Sequence, residues 1–408
     1  MSKTIALAGT FDTKGKEFLF VKELIESLGF RTLTIHTGVF KPAFDPDISN
    51  EVIFQAAGEN INEIVEAEDR GKATLVLSKG MEIVLPQLYE QGKLDGVLSF
   101  GGSGGTSIVT PGMRALPIGV PKIMVSTVAS GNVAPYVGTS DIIMYPSIVD
   151  VAGLNRISTK IFTNAVFAIV GMLSFENKQR FDNKPLLAAT MFGLTTPCIN
   201  YAKAYVEKQG YEMLVFHATG IGGRTMESLI EAGFIEGVLD ITTTEWADEI
   251  VGGVLGAGPH RLEAAAKHNV PQVVSVGAMD MVNFGPYETV PERFTGRKFY
   301  KHNPTVTLMR TNMEENKHIG EVLAEKLNMA SGDTALILPL KGLSGLDVHG
   351  QPFYGPEEDQ MLFDTLKKNI DQDKVQVIEL EKAINDRAFA EAAAEKLIQL
   401  IEEKKGEN

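Results

Sequence analysis

The chain has 408 residues, 44% of them hydrophobic and 22% charged, a balance that suits a globular protein of two or three domains. Lys and Arg total 38 against 52 Asp and Glu, and the resulting net charge of −14 argues against nucleic acid or an anionic membrane as a general partner. The single cysteine, Cys198, leaves no intrachain disulfide and fits a reducing compartment, so the chain is expected to be cytoplasmic.

In chain order, "KTIALAG" reads as a buried strand rather than a signal peptide. "KGKEFLFVKELIESLG" then sets Phe18, Val21, Leu24, Ile25 and Leu28 on one helical stripe. "FRTLTIHTG" is a second strand, followed by helices expected at roughly 49–70 and 72–91. "LDGVLSF", "PKIMVST" and "DIIMYPS" are further strands. "IFTNAVFAIVGMLSF" falls short of the roughly 20 residues of a membrane span and predicts a buried helix. "ENKQRFDNKP" (176–185) is the expected linker.

Beyond it the pattern repeats. "PLLAATMFGLTTPCINYAKAYVEKQGYEMLVFHATG" echoes the opening strand, loop, helix and strand, "IEGVLDI" echoes "LDGVLSF", and "VPQVVSVG" echoes "VPKIMVST". The fold class predicted is α/β, with two Rossmann-like lobes, 1–180 and 181–408, whose parallel sheets face each other across a cleft. From about Gly355 a helix, the strand "KVQVIEL" and a charged terminal helix complete the second lobe.

The chemistry is expected in the polar loops that follow strands. "GTFDTKGKE" (9–17) is one residue too long for a P-loop and carries Glu17 where a magnesium-binding hydroxyl belongs. It keeps Lys14 as a phosphate partner and Asp12 as a metal or ribose ligand, although Asp12 or Thr13 as a simple helix cap is equally compatible. "FGGSGGTSIVTPGMR" places four glycines in six residues between a strand and a helix, either to pack the two closely or to offer bare N–H groups to an anion, with Ser103 and Thr106 adding hydroxyls. The second reading is preferred. It is not the G-x-G-x-x-G pattern, so no NAD reading follows.

In the second lobe "HATGIGGR" offers His217 and Arg224, the latter able to grip an oxyanion. "DITTTE" offers Glu245 as a general base, or as an acid near a helix N-terminus. "GAMDMVNFGP" is a further candidate loop. The other histidines lack zinc-ligand spacing, and Cys198 has no nucleophile signature.

Together "GTFDTKGKE", "FGGSGGTSIVTPGMRALPIGVPKIMVSTVASGN", "YVGTSDIIMYPSIVDVAGLNRIS", "VFHATGIGGRTMESLI", "GVLDITTTEW" and "GAMDMVNFGP" resemble the family of ATP-binding domains typified by the tomato mosaic virus resistance protein. The resemblance covers nearly the whole chain. It implies ATP with Mg2+, and a homodimer or higher homo-oligomer. Its nucleotide-binding loops would be Gly9, Thr10, Asp12, Thr13 and Lys14; Gly102, Ser103, Gly104, Gly105 and Thr106; and Ser126, Thr127, Ser130 and Gly131. Asp12 or Asp141 would position the metal. The expected function is ATP-dependent chemistry on a small anionic metabolite held by Arg224 and the second-lobe loops. The alternatives are a non-catalytic ATP-sensing regulator or scaffold, and a protein that binds a sugar or phosphometabolite.

Overall fold

The structure is a computed structural model that describes residues 2–61, 64, 69–175, 184–330 and 333–407. The chain divides into two compact units, Met1–Arg180 and Phe181–Asn408. Most of the expected linker, 176–183, lies outside the described residues.

The first unit alternates strand and helix: β1 (Thr4–Gly9), α1 (Gly15–Ser27), β2 (Arg31–His36), α2 (Asn50–Ala56), α3 (Arg70–Glu90), β3 (Gly96–Gly101), α4 (Ser103–Arg114), β4 (Lys122–Ser126), α5 (Ala134–Val137), β5 (Ile143–Pro146) and α6 (Arg156–Ser174). Its five strands are parallel, in the order β2-β1-β3-β4-β5. Both faces of the sheet are covered, which is why its strands read as unbroken apolar runs rather than alternating ones. Ala6, Ala8 and Val97 pack with Met81, Leu85 and Val109 on one side. Ile5, Leu7 and Leu98 pack with Phe18, Val21, Phe162 and Val166 on the other. Phe100 stacks on Phe18 with ring centroids 3.9 Å apart.

Three expectations change here. The helix expected over 49–70 is broken: Asn50–Ala56 is helical, 57–60 are not, and Ile61 and Ile64 are helical again, while α3 starts two residues earlier than expected, where Asp69 accepts from Lys72 N. Leu28 follows α1 and is exposed. The apolar helix α6 begins at an Asn155–Ser158 capping box and is buried on one face only, through Phe162, Ala165, Val166 and Ile169. Phe167 and Phe175 are exposed. By length and composition alone α6 is able to cross a membrane.

The second unit repeats the plan: β6 (Leu186–Met191), α7 (Thr196–Lys208), β7 (Glu212–His217), α8 (Ile221–Glu231), β8 (Gly237–Thr242), α9 (Glu245–Val251), α10 (Ala264–Lys267) and β9 (Gln272–Gly277). A part with no counterpart in the first unit follows: β10 (Met281–Phe284), β11 (Phe299–Asn303) and β12 (Val306–Arg310), an antiparallel sheet in the order β10-β12-β11. The chain then returns through α11 (Met313–Leu327), β13 (Thr334–Pro339), α12 (Pro356–Asn369), β14 (Val375–Leu380) and α13 (Arg387–Glu407). The parallel sheet runs β14-β13-β9-β8-β6-β7. Numbered within each unit, both sheets begin 2-1-3-4, so the echoes read in the sequence correspond to equivalent strands.

Candidate functional site

In a sheet ordered 2-1-3-4-5 the first strand lies between the second and the third, and the loops at its carboxyl end diverge to opposite faces. That divergence opens a crevice beside the first and third strand tips, the usual ligand position in open α/β sheets. In the first unit the crevice is a pocket of about 770 Å³, within the range of small-molecule sites. Thr10, Asp12, Thr13 and Lys14 reach it from the tip of β1, and Thr37 to Phe40 from the tip of β2. Gly102 to Gly105 reach it from the tip of β3, and Asp69 and Arg70 from the start of α3.

The glycine run is the start of α4. Gly102 is the N-cap and has no side chain to satisfy the helix, and Thr106 N, bonded to Gly102 O, is the first amide of the α4 ladder. The N–H groups of Ser103, Gly104 and Gly105 therefore face the pocket without a protein acceptor among the described residues. A Cβ placed on Gly104 meets nothing nearer than Arg70 Nη2 at 3.7 Å, and one on Gly105 meets nothing within 4 Å. None of Gly102, Gly104 and Gly105 has a positive φ. Neither close packing nor turn geometry demands glycine at these positions. Gly9 is the opposite case, since its Cβ would lie 1.9 Å from the Phe18 ring. It packs strand against helix and does not line the pocket.

The other expected residues separate by position. Asp12 accepts from Thr13 N at 2.8 Å and Phe40 N at 3.0 Å, tying the β1 and β2 loops together at the pocket rim. Lys14 lines the pocket while its ammonium donates to Val151 O. Thr106 and Ser126 are buried behind the glycines, with their hydroxyls 2.7 Å apart. Thr127 is exposed beside Gly102, and Ser130 and Gly131 are exposed; none of the three lines the pocket.

Asp141 requires a correction. It precedes β5 and so sits at the amino end of the parallel sheet, whereas Asp12 follows β1 at the carboxyl end. Asp141 pairs with buried Lys122 at 2.6 Å and accepts from Gly119 N at 2.8 Å. Partial burial raises its pKa, but the Lys122 ammonium and the Gly119 N–H outweigh that and hold the carboxyl below its usual range. Asp12 lines the pocket and Asp141 does not.

Sequence reasoning missed Arg70 and Thr37. Arg70 makes no ion pair among the described residues, and its guanidinium stands beside Gly104 in front of the α4 N-terminus. Two positive features placed together favour an anion between them. No local motif marks Arg70, because it belongs to a helix far from the glycines in sequence.

The second unit fills its equivalent position internally. α9 follows the third strand as α4 does, but it begins with buried Glu245. Glu245 Oε1 accepts from Gly220 N at 2.6 Å and Gly223 N at 3.1 Å, so the α8 N-terminus already holds an anion. Glu245 Oε2 accepts from Arg261 Nε at 2.8 Å. Arg261 also forks onto Asp240, itself bonded to Thr190, and reaches Glu227 at 3.0 Å. Burial opposes the charge of Arg261, but the Asp240 and Glu245 carboxylates outweigh it and hold its pKa above the ordinary value. Glu245, expected as a general base, is thus committed to fixing this loop. His217 is exposed, edge-on to Phe192, and Arg224 is exposed on α8. Cys198 is buried and its thiol is pushed up to about 12, which leaves it un-ionised at neutral pH. Among the described residues no cluster of three or more His, Cys, Asp or Glu suits a metal.

The loop "GAMDMVNFGP", expected at a ligand, is also buried. Asn283 donates its backbone N and its Nδ2 to the two oxygens of Asp248. Burial pushes the Asp248 carboxyl up to about 7. A raised carboxyl pKa means that the folded state binds more protons, so the stability Asp248 contributes is complete below its unfolded pKa and is lost as pH rises through about 7. Asp248→Asn is therefore expected to gain stability relative to the parent chain between pH 5 and pH 8, by at most about 3 kcal/mol. Urea denaturation at both pH values checks this, and an equal difference at the two would contradict it.

The N-terminal domain of Uncharacterised protein family (UPF0261) matches residues 3–178, and its C-terminal domain matches residues 184–401. A UPF0261 protein of Clostridium tetani is 53% identical over 98% of this chain and 100% of its own length. The ToMV resistance protein Tm-1(GCR237) of Solanum lycopersicum is 46% identical over 82% of this chain, but the match covers 45% of the tomato protein. Among solved structures, a UDP-GlcNAc 2-epimerase of Methanocaldococcus jannaschii matches 67% of this chain and 83% of its own at 11% identity and a TM-score of 0.22, a likeness too slight to carry an argument. Both domains of one family lie in order along nearly all of this sequence, and the chain belongs to the Uncharacterised protein family (UPF0261).

Proposed function

We propose that the first unit binds a nucleoside phosphate, ATP by the resemblance of its loops, with the phosphates on the Ser103–Gly105 N–H groups and beside Arg70. The observation that carries this reading is the bare α4 N-terminus, where three glycines serve neither packing nor backbone strain and open onto the pocket. Val39, Phe40, Ala73, Leu77 and Ile108 supply an apolar wall suited to a base. Asp12 and Asp150 bring carboxylates to the same pocket, and these are the residues that would hold magnesium alongside the phosphates. The equivalent second-unit position carries its own carboxylate, Glu245, which disfavours an added anion there.

ATP-dependent chemistry on a small anionic metabolite remains the enzymatic form of this proposal. One observation favours the sensing alternative: the pocket's carboxylates Asp12, Asp69 and Asp150 each accept a backbone N–H, and among the described residues no histidine lines it. Thermal melts with ATP, ADP, inorganic phosphate and a panel of sugar phosphates test the binding. ATP at about a hundred times its Kd is expected to stabilise by about 2.7 kcal/mol. A shift with sugar phosphates and none with nucleotides would overturn the nucleotide reading in favour of a sugar-phosphate site. Loss of ATP in the presence of a metabolite library would favour the enzyme; binding without consumption would favour the sensor.

A further inference from the structure

The tip of β2 is held by an unusually complete set of internal hydrogen bonds. Thr37 N donates to Gly9 O at 2.8 Å, and Gly38 N donates to His36 Nδ1. Phe40 N donates to Asp12, and Phe40 O lies 2.9 Å from His36 Nε2. Buried Asn50 donates to Gly38 O at 2.8 Å and to Val39 O. Three side chains from three places in the sequence thus fix Gly38, Val39 and Phe40, and a backbone bond fixes Thr37.

One group in this loop is left unspent. Thr37 is fully buried among the residues that line the pocket, and its Oγ1 has no hydrogen-bond partner among the described residues. Such an orphan hydroxyl costs about 1–3 kcal/mol and calls for an explanation. The other unpartnered buried side-chain oxygen among the described residues of this unit, Ser99 Oγ, does not line the pocket.

The register locates Thr37 relative to the glycines. Ala8 of β1 pairs with Ile35 of β2 and with Ser99 of β3, so Thr37 and Gly101, two residues further along each strand, stand level. Two strand spacings separate them, about 10 Å along the sheet edge. A phosphate on the α4 N-terminus does not reach that far, but a sugar joined to a phosphate chain does. In dinucleotide-binding folds the tip of the second strand reads ribose hydroxyls with a carboxylate. Here the side chain at that place is a neutral hydroxyl.

We infer that Thr37 is a specificity-determining residue of this site, its Oγ1 hydrogen-bonding a sugar hydroxyl of a ligand whose phosphates lie on Ser103–Gly105. The inference rests on the nucleotide reading above. Thr37→Val tests it cleanly, because valine has the same shape and the lost hydroxyl has no protein partner. The unliganded variant should melt at the parent temperature or above it.

Calorimetric titration of parent and variant with ATP, 2′-deoxy-ATP, 3′-deoxy-ATP and inorganic tripolyphosphate is the experiment. The valine variant should bind ATP about tenfold more weakly. Its tripolyphosphate affinity should be unchanged, and one of the two deoxy analogues should show no further loss in it. Thr37→Ser, which keeps the hydroxyl, should retain most of the ATP affinity. If the parent binds none of the nucleotides, the underlying reading falls. If the parent binds ATP and the valine variant binds it equally, the Thr37 assignment alone falls. If neither deoxy analogue couples to the substitution, the sugar hydroxyl is excluded.

Discussion

Gly104→Val is expected to abolish nucleotide binding while leaving the unliganded protein folded. The backbone at Gly104 is ordinary helix with negative φ, and the nearest atom to a new Cβ is the flexible end of Arg70 at 3.7 Å. Removing a helical glycine also lowers the chain entropy lost on folding, worth about 0.5–1 kcal/mol for alanine and less for a β-branched side chain. The valine methyls would fill the space in front of the Ser103–Gly105 N–H groups, where the phosphate is proposed to lie. The stabilisation of about 2.7 kcal/mol expected with ATP at a hundred times its Kd should disappear from the variant's thermal melt. Normal ATP affinity in a folded Gly104→Val would place the phosphate elsewhere. Gly9→Val is the contrasting control, since the Phe18 ring leaves it no room and the expected result is failure to fold.

Arg261→Met should have the largest effect on stability. The guanidinium is buried and contacts Asp240, Glu245 and Glu227, so its removal leaves three carboxylates near one another without a counter-ion. Breaking a buried charge network from one side costs about 3–5 kcal/mol. All of these residues belong to the second unit, so ATP binding at the first is expected to survive where the protein remains folded. Denaturant unfolding measures the loss, and a cost below about 1 kcal/mol would show that the carboxylates shed their charge by taking up protons instead.

The repeat was legible in the sequence because each strand, buried on both faces, leaves a short apolar run, and equivalent runs recur in the same order. The crevice loops were legible for a related reason: Gly102–Gly105 and Thr10–Lys14 directly follow such runs. The direction of a strand carries further information that residue type does not. Asp141 resembles a ligand by composition, but it precedes its strand and therefore stands at the wrong end of the sheet, bound to Lys122. Arg70 was hidden because only the fold brings the start of α3 against the glycines. Thr37 was hidden because a threonine ending a strand is ordinary, and its distinction lies in lacking a partner. Glu245 looked like a base near a helix N-terminus; the position was correct, but Arg261, sixteen residues away, decides its role. The antiparallel sheet β10-β12-β11 went unread because its strands have four or five residues and β11, "FYKHN", is largely polar.

The most direct measurement is an experimental structure with a non-hydrolysable ATP analogue and magnesium. The account predicts phosphate oxygens within hydrogen-bond distance of the Ser103, Gly104 and Gly105 N–H groups, the Arg70 guanidinium turned onto them, and the sugar toward Thr37. Phosphates on the Gly220–Gly223 turn of the second unit, with Glu245 displaced, would contradict it.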